Sequence, residues 1–450
     1  MTNSSEIDNS WVNDRTEQSM IQFQGDIDPK IELPHKSEIL VISRDQSFLT
    51  HGIHKFPAKF FPELPRYLIK HYTTKGDLVL DPMCGSGTVV LESLLCERAS
   101  IGIDIDPIAR MIAEVKTNPL QPHLLKDVET QLVKDMKNLT ENRRFHPLIP
   151  EFNYRDTWFK EFVLRELGII KHSIDTLPDS GFPLSTLHDV NGVLKFLKVV
   201  FSSIIRDVSN ADPHCTRTVI RKNLQKRIAP GDTIAQFKHA LSKQISNMSQ
   251  FHSVYSSLEP TSLEIINASA SDTGLLSDSV DLAVTSPPYI NAVDYPRTHQ
   301  LEMYWLGLVE DGPLSNMKRR YIGTETVYKS EYASLRTTGL SSLDPLLSKI
   351  YDRDPRRSYI VYKFFDDMKK QLIETYRVLR PGALYCVAIG NNVIRGHKVK
   401  SHEILTEIAT SDEVGFMLEK SFFSGVIRHF IKIPRKERMA GEWILILKKP

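Results

Sequence analysis

Hydrophobic and polar positions along the 450-residue chain fall into two textures. Short apolar runs bounded by turn formers occur at 39–42, 77–80, 101–104, 263–266, 280–284, 383–389 and 443–447. Runs of this length predict strands buried on both faces of a parallel sheet. Between the second and third runs, Val89, Val90, Ser93, Leu94 and Cys96 are spaced to pack a helix over 88–96. Strand, helix and strand make a β-α-β unit with a right-handed crossover. Residues 120–260 read instead as helical and more polar, and 297–357 as irregular, charged and rich in turns. From Tyr359 a helix runs through Tyr376 and returns the chain to the sheet. The expected fold is an α/β doubly wound sheet carrying a large helical insertion and a second, smaller one.

The boundaries follow from these changes of texture. Residues 1–35, rich in Ser, Asn, Asp and Gln, are expected to form a flexible tail. The sheet domain is expected in three parts, 36–118, 262–296 and 358–450. The insertions are then 119–261, a candidate target-recognition region, and 297–357, a candidate DNA contact. Insertions in such sheets commonly carry specificity while the sheet carries chemistry.

Composition narrows the class. A formal net charge of +2 gives no global attraction to a polyanion, so any nucleic-acid surface must be a local cluster. Arg217, Arg221, Lys222, Lys226 and Arg227 form one, and at helical spacing part of it shares a face. Arg319 and Arg320, beside Lys318, form another. Four cysteines are scattered with no Cys-x-x-Cys pair, so neither a metal site nor a disulfide framework is expected. The polar start of the chain has no apolar signal region. The most apolar stretch, 193–205, is broken by Lys195 and Lys198 and suits a core helix better than a membrane span. The expectation is a cytoplasmic protein without a membrane partner.

Two turns carry candidate chemistry. Asp81-Pro82-Met83-Cys84-Gly85-Ser86-Gly87-Thr88 joins a strand to a helix, where ligands of open α/β sheets bind. Its glycines let backbone approach a ligand closely. A dinucleotide site would want a third glycine where Val90 stands, which argues against NAD or FAD. Asp104 closes the next strand, where a carboxylate accepts both hydrogen bonds of a ribose diol. Asp106, before Pro107, reads as a helix N-cap. The second turn is Ser286-Pro287-Pro288-Tyr289, at the end of an apolar strand. Two prolines fix the backbone and remove two N–H donors, leaving carbonyl acceptors beside an aromatic ring. An exocyclic amine is a poor nucleophile because its lone pair is delocalised. Acceptors at Ser286 and Pro287 that hold its two hydrogens favour a tetrahedral nitrogen, and Tyr289 can stack on a base rotated out of a duplex. None of the cysteines sits near this turn, against the thiolate that C5-cytosine chemistry needs.

Together these residues resemble the amino-group DNA methyltransferases. The 81–88 segment is similar to their Asp-Pro-Phe-x-Gly-Ser-Gly-Thr cofactor loop, with Met83 in place of Phe, and Gly102-Ile103-Asp104-Ile105-Asp106-Pro107 to their ribose-binding strand. Thr285-Ser286-Pro287-Pro288-Tyr289 resembles their catalytic loop, in which Ser at the first position is typical of the cytosine-N4 branch and Asp or Asn of adenine-N6. His54-Lys55-Phe56-Pro57-Ala58-Lys59-Phe60 resembles the segment that holds the methionine part of the cofactor. The resemblance implies a Rossmann-like methyltransferase sheet, S-adenosyl-L-methionine as cofactor, held by Lys59, residues 81–88, Asp104 and Ile105, and double-stranded DNA as partner. It departs where Gly-Asp-Ala is usual: Ala268-Ser269-Ala270 stands there, leaving the adenine contact to Asp272 or Ser269. Arg297, with Asn291, Asp294 and Tyr295, follows the catalytic loop and is placed to line a flipped-base pocket. The reading is a site-specific cytosine-N4 enzyme, one half of a restriction–modification system with a separate endonuclease. Adenine-N6 methylation of DNA is the alternative, followed by an RNA amino-group methyltransferase or a non-catalytic nucleic-acid-binding relative.

Overall fold

Val79 and Leu80 pair with Leu282 and Ala283, so two strands from opposite sides of the large insertion lie side by side. In the computed structural model, which describes residues 20–43, 45–180, 187–221, 226–290, 294–309, 314–425 and 441–450, this pairing is the centre of the sheet. The strands are β1 (Ile21–Gln24), β2 (Glu38–Ile42), β3 (Leu78–Asp81), β4 (Ala99–Ile103), β5 (Leu263–Ile266), β6 (Val280–Thr285), β7 (Leu379–Ile389), β8 (Asn392–Ile394), β9 (His397–Val399), β10 (Met417–Gly425) and β11 (Gly441–Lys448). Among the described residues nine of them form one sheet in the order β1-β2-β10-β11-β7-β6-β3-β4-β5, with β8 and β9 as a separate hairpin. All neighbours pair parallel except at β11, which is antiparallel to both β10 and β7.

From β3 the chain winds outward to β4 and β5, and from β6 it winds the other way to β7. The switch point therefore lies between β3 and β6, the position where such sheets open a crevice at their carboxyl ends. Alternation within the strands explains why the sheet is covered on both sides. Val79, Leu282, Val284, Cys386 and Ile446 pack against Leu64, Tyr67 and Leu68 of α1 (Glu63–Tyr72). Their neighbours Leu80, Ala283, Tyr385, Val387 and Leu447 pack on the opposite face against Phe364, Met368 and Leu372 of the helix Pro355–Val378.

The helical insertion is fused to this sheet. Leu91 and Leu94 of α2 (Thr88–Leu95) and Ile108 and Ile112 of α3 (Pro107–Thr117) share one core with Phe196, Phe201, Phe237 and Phe251 of the insertion helices. Trp305, from the second insertion, is fully buried in that same core.

Three sequence expectations are corrected. The tail was placed at 1–35, yet β1 forms the sheet edge, Leu33 is fully buried, and the Tyr67 hydroxyl donates to the Ile31 carbonyl. Burial of a few apolar residues at the edge of β2 is enough to order this polar segment. Strand β10 was not foreseen, because Glu419, Lys420 and Ser421 interrupt its apolar pattern. The basic cluster does not ride on a helix either: its described residues lie in irregular chain between the helices Leu187–Val208 and Asp232–Tyr255, and Lys222 falls outside the described residues. Pro213 lacks the N–H that a continuing helix would need.

Candidate active site

The ends of β3, β4 and β6 converge on one cleft with about 900 Å³ of empty space, part of it open to solvent. A ligand of nucleoside size fits a hollow of this class. One wall is the loop after β3. Asp81 closes β3, and its Oδ1 accepts from the Thr285 hydroxyl at 2.8 Å, a bond that spans 204 residues and ties this loop to the end of β6. The Met83 amide donates to the same oxygen at 3.2 Å. Gly85 has φ +49°, and a Cβ there would meet the Phe56 ring at 3.2 Å. The glycine keeps this stretch of backbone free to face a ligand.

The next wall is Asp104. Its two oxygens accept from the Gly85 and Asp106 amides, each at 2.8 Å. Each oxygen retains a lone pair toward the cleft, which it lines. Desolvation raises the Asp104 carboxyl to about 6, with Asp106 adding like-charge repulsion, and raises Asp81 to about 7. Asp106 caps α3, accepting from Ile108 N at 3.0 Å, as the sequence suggested. It also faces the cleft.

Ser286 and Pro288 bring the second turn into the same cleft, and Lys59, Pro82, Met83, Cys84, Ser86, Thr88 and Ile105 complete the predicted set that lines it. Four predicted residues do not line it. Gly87 (φ +77°) serves helix packing, since a Cβ there would come within 2.7 Å of Ala113 on α3. Asp272 only closes a turn, its amide donating to the Ser269 carbonyl at 3.0 Å, while Ala268, Ser269 and Ala270 line the wall. Pro287 is buried. Tyr289 is half-buried, and its hydroxyl donates to the Glu442 carboxylate on β11.

The expectation that no cysteine sits near the catalytic turn holds along the chain but not in space. Cys84 shares the cleft with Ser286. Burial, with Asp104 and Asp81 close by, drives its thiol well above the ordinary range, so it stays protonated and is no thiolate nucleophile. Sequence reasoning also missed Ile322, which reaches the cleft from the second insertion, grouped its neighbour Tyr321 with the candidate DNA contacts Lys318, Arg319 and Arg320, and assigned Tyr295 and Phe56 only loosely. The Phe56 and Tyr295 rings stack at 5.7 Å and 26° on its rim.

The predicted DNA-contacting cations are mostly engaged within the protein. Arg217 pairs with Glu325 at 3.4 Å and Arg221 with Asp212 at 2.8 Å. Lys226 donates to the carbonyls of Arg206 and Asp207, and burial lowers its ammonium to about 8. Arg319 grips Glu331 with both Nη atoms, at 3.0 and 3.1 Å, and lies over the Tyr328 ring. Arg320 is exposed on the cleft rim. Arg227 is exposed and Arg297 half-buried, and neither side chain has a hydrogen-bond or ion-pair partner among the described residues. Within the described residues no group of three or more metal-ligating side chains occurs, and no helix is long and apolar enough to cross a membrane.

The N6/N4 DNA methylase family matches residues 2–114, which contain the cofactor loop, Asp104 and most of α3. The type II methyltransferase M.MvaI of Kocuria varians is 25% identical over 380 residues, covering 80% of this chain and 81% of its own. M.BsoBI of Geobacillus stearothermophilus is 23% identical, with 81% and 78% covered. M.MjaII of Methanocaldococcus jannaschii reaches 34% identity over 103 residues, 23% of this chain and 19% of its own. Similarity therefore runs through both insertions in the first two relatives and is confined to a short block in the third. In the cleft built from the ends of β3, β4 and β6, and in these relatives, the chain is similar to the S-adenosylmethionine-dependent amino-group DNA methyltransferases.

Proposed function

We propose that this protein methylates the exocyclic N4 of cytosine at a specific sequence in double-stranded DNA, as the modification half of a restriction–modification pair acting in the cytoplasm beside a separate endonuclease. The observation that carries this reading is the meeting of Ser286 and Pro288 with Asp81, Gly85 and Asp104 in one cleft. The names of the type II relatives agree with it.

The residues of the cleft suit the cofactor in charge and shape. Asp104 offers acceptors to a ribose diol, Asp81 a carboxylate to the α-ammonium of the methionine part, and Lys59 an ammonium to its carboxylate. Ser269, rather than Asp272, supplies the polar contact to the adenine. Bound S-adenosylmethionine supplies an electrophilic methyl group on a sulfonium. The Ser286 hydroxyl and the Pro287 carbonyl accept the two amine hydrogens, which localises the nitrogen lone pair toward that methyl. Tyr289, its hydroxyl anchored to Glu442, offers its ring as a stacking surface for a base turned out of the duplex. Arg227, Arg297 and Arg320 are the cations assigned to DNA.

The test is transfer of labelled methyl from the cofactor to unmethylated DNA, followed by nucleoside analysis. N4-methylcytosine is the expected product. N6-methyladenine would move the target to the other amine-bearing base, and 5-methylcytosine or no product would sink the reading.

A further inference from the structure

Lys116, near the end of α3, is 1% exposed and points its ammonium beneath the cofactor loop. Its Nζ donates to the Ser86 hydroxyl oxygen at 3.3 Å, across 30 residues of sequence. Among the described residues no carboxylate forms an ion pair with it, which is rare for a buried lysine. Its carbonyl is also held, accepting from the Thr50 hydroxyl at 2.6 Å, so the residue is fixed at both ends. Glu92 on α2 lies in the neighbourhood, but that carboxylate is taken by Arg66 at 2.7 and 2.9 Å and by His51 at 2.7 Å. The remaining ionisable groups facing Lys116 are Lys59, from the segment before α1, and the Cys84 thiol.

Ser86 links this cation to the cleft. Its hydroxyl oxygen accepts from Lys116, so its own proton is free to turn outward, and Ser86 lines the cleft wall. Lys59 lines the same cleft, donating to the carbonyls of Gln46 and His51 at 3.1 and 2.9 Å and keeping one N–H unspent. The cleft thus joins a cation, Lys59, and a hydroxyl oriented by a buried ammonium to the carboxylates of Asp81, Asp104 and Asp106, with Arg320 on its rim. A zwitterionic amino-acid tail matches this polarity.

We propose that Lys116 is a positioning residue for the α-carboxylate of the cofactor, acting through the Ser86 hydroxyl. The buried ammonium receives its counter-charge only when the ligand arrives, and Ser86 relays it as a directed hydrogen bond. Burial and Lys59 together push the Lys116 ammonium well below the ordinary lysine range, as expected of a cation lacking a partner. The proposal rests on the cleft being the S-adenosylmethionine site.

The experiment measures binding by titration calorimetry of two ligands to the full-length protein: S-adenosylmethionine and its decarboxylated form, which lacks only the carboxylate. Lys116→Met should weaken the first by about tenfold to a hundredfold, the range for losing a charge-assisted hydrogen bond, and leave the second within about twofold. Ser86→Ala should give the same selective loss, and the double variant should lose little more than either single one. Replacing a buried charge by an apolar side chain of similar length is commonly tolerated, and Ser86→Ala keeps the lysine if Lys116→Met does not fold. Equal weakening of both ligands, or none, would overturn the proposal while leaving the cofactor assignment intact. A wild-type protein that binds neither ligand would overturn both.

Discussion

The cofactor loop and the basic stretch from 217 to 227 are both dense in charge, yet charge does opposite work in them. Around the loop, Asp81, Asp104 and Lys116 lack an opposite charge within ion-pair distance among the described residues, and their polar atoms are satisfied by amides and hydroxyls. In the basic stretch, Arg217, Arg221 and Lys226 are spent on Glu325, Asp212 and two carbonyls. Charges held without a counter-ion are poised for a ligand, whereas paired ones are part of the scaffold. A cluster of cations in sequence thus says little about a binding surface until their partners are known.

The sharpest test of this contrast is Ser286→Ala. It should lower methyl transfer by about 100-fold or more, the scale for removing one oriented polar contact at a reacting centre, while cofactor affinity changes little. A proportional loss of cofactor binding, seen in the same titration, would place Ser286 in the cofactor half of the cleft instead.

The next effect is pH dependence. If ionised Asp81 and Asp104 receive the cofactor, affinity should fall about tenfold per pH unit below about 7, where Asp81 takes up its proton, and more steeply below about 6 as Asp104 follows. Asp81→Asn should remove the upper step, and a flat profile in the wild type would show that these carboxylates do not face the ligand as ions. The same shifts act on folding with a definite sign. Both folded pKa values lie above the ordinary carboxylate value of 3.8, so the native state holds more protons than the unfolded chain. Their contribution to stability is full below about 4 and is lost as pH rises through about 6 and 7.

Smaller effects separate DNA contacts from scaffold. Arg227→Ala and Arg297→Ala should each weaken DNA binding several-fold and reduce the salt dependence of binding by about one ion, measured as the slope of log affinity against log salt. Arg319→Ala should leave that slope unchanged and cost about 1 kcal/mol of folding stability, through the lost Glu331 fork and Tyr328 contact, in a denaturant titration. A salt slope that drops for Arg319→Ala would show that Arg319 contacts DNA despite its pairing with Glu331.

What could be read from sequence divides along the same line. β3, α2 and β4 were legible because a β-α-β unit is local: its apolar runs, glycines and capping Asp106 all fall within 30 residues of one another. The catalytic turn was legible because two prolines impose their geometry whatever surrounds them. Lys116 was not, since a lysine in the last turn of a helix is an ordinary capping choice, and its burial depends on the cofactor loop and on the remote segment carrying Thr50. Arg217 was misjudged for a similar reason, its partner Glu325 lying 108 residues away. Tyr321 and Ile322 reached the cleft from a stretch with no periodicity to announce them.

The sheet edge has a consequence for how the protein is made. β2 leans on β10, with Phe423 beside Glu38, and His35 accepts from the Ser421 amide across 386 residues. During synthesis β1 and β2 can pair with each other, but the other edge of β2 waits for β10, and making the residues between them at ~5–20 per second takes on the order of half a minute. For that interval β2 presents one unpaired edge, a vulnerable period in which a chaperone is better company than a second nascent chain.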